Sequence, residues 1–89
     1  MTELKFSTEQ YQALESQGKH PLVISVLEST MNRHQLSSEL IMEMSQEGWL
    51  AYEIIRFCEV CDEKQLPIDS AWRLHQRLAK DGHPLFSTN

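Results

Sequence analysis

Apolar residues in this chain recur at helical spacing, with no sustained alternation. The longest apolar run is Trp49 to Cys61, Trp-Leu-Ala-Tyr-Glu-Ile-Ile-Arg-Phe-Cys-Glu-Val-Cys. At 100° per residue, Leu50, Ala51, Ile54, Ile55, Phe57, Cys58 and Cys61 fall within an arc of about 160°. That arc is wider than the stripe of a simple surface helix. It predicts a central helix over residues 49–61 that touches neighbours on more than one side. The opposite arc carries Glu53, Arg56 and Glu59, and with them Trp49, Tyr52 and Val60.

Punctuation divides the rest of the chain. Ser7 with Gln10 three residues on is a capping box, and Phe6 and Tyr11 are spaced as a hydrophobic staple. They predict a first helix presenting Tyr11 and Leu14 and stopping at Gly18. Pro21 suits the first turn of a second helix. There Leu22, Val23, Val26, Leu27, Thr30 and Met31 repeat at helical spacing. The β-branched run Val23 to Val26 also fits a strand, but no second strand is evident to pair with it. Residues 32–36 read as a connection. Ser37 or Ser38 caps a third helix with Leu40, Ile41 and Met44 inward. Gly48 separates it from the central helix. Residues 62–68 read as the next connection. Asp69 or Ser70 caps a last helix, Ala71 to Lys80, with Ala71, Leu74, His75 and Leu78 on one face. Gly82 stops it, and His83-Pro84-Leu85-Phe86 reads as an extended tail tucking back onto the core. His20-Pro21-Leu22 and His83-Pro84-Leu85 match, but the segments before them do not align. We read the match as ordinary punctuation after a helix.

The expected fold is therefore all-α, a single domain of four to five short helices around residues 49–61. Eighty-nine residues suffice for one modest core. Six glycines and prolines in all argue against many short strands. The formal charge of −5 disfavours nonspecific binding to nucleic acid or an anionic membrane. The charge is uneven, −6 over residues 1–68 and +1 over residues 69–89. No secretory pattern opens the chain, and no apolar run reaches the roughly 18 residues of a membrane span. Two cysteines make no disulfide framework, so a reducing cytoplasmic setting is expected.

Cys58-Glu59-Val60-Cys61 is half of a typical zinc site. Its missing ligands are not at finger spacing, and both sulfurs fall in the core arc. Cys58 and Cys61 are therefore read as small buried hydrophobes, with a zinc-binding module as a remote alternative and no metal or cofactor expected. Redox chemistry needs a thiol of low pKa at a helix N-terminus, whereas these sit late in a helix beside Glu59 and Asp62. The four histidines are scattered. No nucleophilic triad, paired-carboxylate pattern, phosphate loop or His-Glu-x-x-His signature is present. The chain is read as a non-enzyme.

Tyr52, Arg56 and Val60 make an i, i+4, i+8 ridge with Trp49 one turn earlier, and such residue types are enriched at binding hot spots. Glu39, Glu43 and Glu47 form an acidic row at i+4 steps on the third helix. Together they point to a protein-binding module, an adaptor, inhibitor or regulatory subunit, whose partner is another protein or a second copy of itself.

A second reading comes from resemblance. Glu47-Gly48-Trp49-Leu50-Ala51-Tyr52-Glu53-Ile54 looks like the entry to the second helix of a helix-turn-helix. Asp69-Ser70-Ala71-Trp72-Arg73-Leu74-His75-Gln76-Arg77-Leu78-Ala79-Lys80-Asp81-Gly82 looks like its recognition helix and following turn. Residues 38–86 thus resemble, generically, the helix-turn-helix and winged-helix superfamily. That resemblance implies a DNA-binding regulator in which Ser70, Arg73, Gln76, Arg77 and Lys80 approach a major groove. The connection over residues 62–68 is longer than the usual turn of that motif.

Overall fold

The structure, a computed structural model, describes residues 3–80 and 82. Five helices follow one another: α1 (Thr8–Ser16), α2 (Pro21–His34), α3 (Ser38–Gln46), α4 (Ala51–Glu63) and α5 (Ile68–Lys80). No strand occurs among the described residues. The all-α expectation holds. The tail at residues 83–86 lies outside the described residues.

Local chemistry sets the helix ends. Ser7 Oγ accepts from the Gln10 N–H at 3.1 Å, and Gln10 Oε1 accepts from the Ser7 N–H at 2.9 Å. The predicted capping box is present. His20 Nδ1 accepts from the Leu22 N–H at 3.1 Å, with Pro21 opening α2. Residues 23–26 are therefore helix, and α2 runs on to His34 through part of the expected connection. Ser37, rather than Ser38, caps α3.

The chain divides into two units, Met1–Ile55 and Arg56–Asn89, with the boundary inside α4. In the first unit α1, α2 and α3 pack pairwise. Leu14, Ile24, Leu27, Met31, Ile41, Met44 and Ile54 are fully buried there. Three bonds tie the segment before α1 to α2, one of them donated by Asn32 Nδ2 to the Leu4 carbonyl at 2.8 Å. Asn32 Oδ1 accepts from the Leu4 N–H at 2.7 Å, and Glu28 Oε2 accepts from the Phe6 N–H at 3.1 Å. The second unit is cored by aromatics and thiols. Trp72 stacks on His75 with centroids 5.5 Å apart, and Phe57 meets the Trp72 ring edge-on at 6.1 Å. Cys58, Cys61 and Ala71 are buried with them.

Three inward faces differ from expectation. On α2, Ile24, Leu27, Thr30 and Met31 are buried, while Leu22 and Val26 are exposed. The buried stripe is i, i+3, i+7 from Ile24, and Val23 and Val26 lie to one side of it. On α5, Trp72 is buried and Leu74 exposed. The larger ring takes the interior because it removes more apolar surface from water. The α5 helix also begins at Ile68, so Asp69 and Ser70 lie in its first turn and do not cap it. Leu50, placed in the core arc by the helical wheel, precedes α4 and is exposed.

One regularity runs through the whole fold. Helices α1, α3 and α5 begin at Thr8, Ser38 and Ile68, 30 residues apart. Four of the helices close in the same way. A residue with left-handed φ follows, at Gly18 (89°), Gln35 (54°), Gly48 (93°) and Gln65 (56°). The next N–H then bonds the carbonyl five residues back: Lys19 to Leu14, Leu36 to Met31, Trp49 to Met44, and Leu66 to Cys61. This is the Schellman closure. Part of the burial follows the same period. Phe6, Leu14, Ile24, Leu27 and Met31 are buried, and so are Leu36, Met44, Ile54, Phe57 and Cys61, each 30 residues later. Pairs α1–α2 and α3–α4 are thus successive copies of one two-helix repeat, with α5 in register as the first helix of a third.

Candidate partner-binding site

The short α3–α4 connection is Glu47-Gly48-Trp49-Leu50. Gly48 takes φ 93°, a conformation that costs L side chains steric energy. It turns the chain so that the Trp49 N–H reaches the Met44 carbonyl at 3.2 Å. Trp49 thereby occupies the apolar position of a Schellman closure and is half-buried. Leu36 fills the equivalent position on α2 and is buried, so a tryptophan exceeds what closing the helix requires. Glu53 Oε1 accepts from the Leu50 N–H at 2.7 Å and fixes the start of α4. Leu50 and Tyr52 stand out from this corner, 54% and 63% exposed.

Trp49 therefore lies just before α4, while Tyr52, Arg56 and Val60 keep their i+4 file along it. Arg56 is exposed and Val60 half-buried. On α3, Glu39 is exposed and Glu43 half-buried, and Glu47 is the exposed C-cap.

A cleft of about 440 Å³ adjoins Trp49, lined by Gln17, Lys19, Ser45, Gln46, Gly48, Trp49 and Leu50. It lies between the turn after α1 and the turn after α3, which are the same turn of successive repeats. Ser45, itself buried, donates from Oγ to Gln17 Oε1 at 2.6 Å and joins the two helix ends. Of these lining residues, sequence reasoning singled out Trp49 alone as functional. The 30-residue recurrence was the signal that brings the two turns into correspondence.

On α5, Ser70, Arg73, Arg77 and Lys80 are exposed and Gln76 is half-buried. Arg73 Nη1 donates to Gln76 Oε1 at 3.0 Å. Gln76, Arg77 and Lys80 line a shallow cleft of about 310 Å³. The α4–α5 connection is four residues, 64–67, shorter than the sequence suggested.

Cys58 and Cys61 are free and buried. Burial, then Cys61 and Glu59, push the Cys58 thiol up to about 12, and burial raises Cys61 as well. Both therefore stay protonated near neutrality, the opposite of a reactive thiol or a ready metal ligand. Among the described residues no group of three or more His, Cys, Asp or Glu gathers as a metal site. No described helix is long and apolar enough to cross a membrane. No family model matches the chain, and searches of curated proteins and of solved structures returned no match either.

Proposed function

We propose that this chain is a small binding module, not an enzyme, that docks a partner protein or a second copy of itself through Trp49, Leu50 and Tyr52, flanked by Glu39, Glu43 and Glu47. One observation carries the reading: the corner before α4 exposes a tyrosine and a leucine beside a half-buried tryptophan. Aromatic anchors with an apolar neighbour and a charged rim are the composition of binding hot spots. Two free, buried cysteines suit action in a reducing, cytoplasmic setting. The test compares wild type with Tyr52→Ala for quantitative copurification and for sedimentation. Loss of a specific partner, or of self-association, is the expected result. An unchanged partner set together with an unchanged oligomeric state would remove the reading.

A second reading has its own observation. The α5 helix exposes Arg73, Arg77 and Lys80 after a four-residue turn, which suits contact with nucleic-acid phosphates. It predicts duplex binding at low salt that Arg77→Ala weakens. No mobility shift with random-sequence duplex at low salt would end it.

A further inference from the structure

We infer that the outward face of α5, Leu74 and Leu78 with Arg77 beside them, docks an acidic amphipathic helix of a partner protein. The inference goes beyond the corner at Trp49, Leu50 and Tyr52, since it concerns another helix and names another chemistry. It competes with the nucleic-acid reading of α5. Three observations carry it.

The first comes from the repeat. In both earlier copies two apolar positions turn inward. Phe6 and Leu14 are buried, and so are Leu36 and Met44 thirty residues later. At the next step the apolar residues are kept but the burial is not: Leu66 is 46% and Leu74 43% exposed. Single exposed leucines are ordinary on a protein surface. Two of them at positions that both other copies bury mark a face left open.

The second is the way α5 ends. Helices α1 and α3 stop at Ser16 and Gln46, and Gly18 and Gly48 then turn the chain with left-handed φ. The equivalent residue of the third copy is Leu78, which lies within α5. A leucine does not readily take the left-handed turn, and the helix runs one turn further, to Lys80. The chain thus leaves α5 past the point at which the earlier copies fold back.

The third is charge. The added turn, residues 77–80, brings Arg77 and Lys80, both exposed. Leu74 and Leu78 make an i, i+4 file, and Arg77 stands about 60° around the helix from Leu74. Arg73, whose Nη1 donates to Gln76, precedes Arg77 by one turn. The equivalents of Arg73 and Arg77 are Ala13 and Gln17 in the first copy, and Glu43 and Glu47 in the second. The cationic edge is therefore particular to α5. A leucine file edged by guanidinium groups complements a helix with apolar residues at i, i+3, i+4 and i+7 and carboxylates on its flank. Nucleic-acid phosphates would use the cations and leave the leucines in water. Self-pairing of this face across a two-fold axis would set the Arg73–Arg77 file against its own copy.

The test titrates the full chain with a designed helical peptide of about four turns, leucines at the i, i+3, i+4, i+7 spacing and glutamates on the flanks. Control peptides carry lysine for every glutamate, or serine for every leucine, and a random-sequence DNA duplex is the nucleic-acid arm. Amide NMR shifts report the site. We expect the acidic peptide to shift residues 70–80 with a dissociation constant on the order of 100 μM, and each control peptide to bind at least tenfold more weakly. Leu74→Ser and Arg77→Glu, both at exposed positions, should each weaken binding about fivefold or more while the melting temperature holds. Equal binding of either control peptide, or no shift in residues 70–80, would overturn the inference. So would shifts confined to residues 48–52, which would put the peptide on the Trp49 corner. A duplex that shifts residues 70–80 where the acidic peptide does not would give α5 to nucleic acid. Self-association of the chain alone that Leu74→Ser abolishes would give the face to a second copy. None of these results bears on partner capture through Tyr52, so the docking reading stands or falls by its own test.

Discussion

The two units of this chain are built from equivalent positions but hold together differently. In the first, Leu14, Ile24, Leu27 and Met31 form an aliphatic core among α1, α2 and α3. In the second, Phe57 replaces Leu27 and Cys61 replaces Met31 thirty residues later, and Trp72 with His75 supplies the rest of the interior. The first core spreads its burial over many similar side chains. The second concentrates it in one large ring pair. Loss of one residue should therefore be absorbed in the first unit and be decisive in the second.

The largest expected effect follows from that difference. Trp72→Ala should cost about 3–5 kcal/mol, the usual range for removing a buried tryptophan, which is comparable with the whole stability of a small domain. Leu27→Ala should cost about 2–5 kcal/mol, and less than Trp72→Ala. Hydrogen exchange separates the units. Trp72→Ala should speed exchange in α5 much more than in α2, and equal acceleration in both would show that the contrast between the cores is wrong.

The thiols provide the next test. The Cys58 thiol is ordinarily near 9 and is pushed up to about 12 by burial. Between those values the unfolded chain has released a proton that the folded chain keeps. Stability from this group is therefore full below about pH 9 and is lost as pH rises toward 12, at no more than about 1.4 kcal/mol per pH unit. Cys58→Ala should flatten the decline of stability above pH 9 in denaturant titrations. An unchanged slope would mean that the thiol is already ionised in the fold.

Smaller effects test the repeat. Ser7→Ala and Ser37→Ala remove the caps of equivalent helices, each at a cost of about 1 kcal/mol. Ser7 should cost the more, because its bond is shorter and Gln10 returns a second one, whereas Ser37 accepts a single bond at 3.3 Å. Denaturant midpoints report the difference, and a larger loss at Ser37 would contradict this account of the caps.

These contrasts also show what the sequence made legible. The helix starts marked by Ser7, Pro21 and Ser37 could be read because each depends on chemistry within three residues. Glycine ends could be read for the same reason. Buried faces could be read only to within a sector. Leu22 and Val26 are as apolar as Ile24 and Leu27, and nothing local says which pair meets a neighbour. Trp72 was left off the inward face of the last helix, and Leu74 put on it, because a wheel weighs positions and not side-chain area. The repeat escaped notice because it conserves burial more than identity. Leu27 with Phe57, and Met31 with Cys61, match in role while the residue changes. The cleft was invisible for a related reason, since its two walls come from turns 30 residues apart. The aromatic corner was legible at Trp49 and Tyr52, although Trp49 proved to sit in the turn before α4.

The central claim is that Tyr52 and its neighbours are held outward to meet a partner. Tyr52 is 63% exposed, so Tyr52→Ala should change stability by no more than about 0.5 kcal/mol. The decisive measurement is therefore quantitative copurification and sedimentation of Tyr52→Ala against wild type, with the melting temperature of each recorded. The account predicts an unchanged melting temperature and at least a tenfold loss of a specific partner or of self-association. Unchanged association, or a variant that no longer folds, would contradict it.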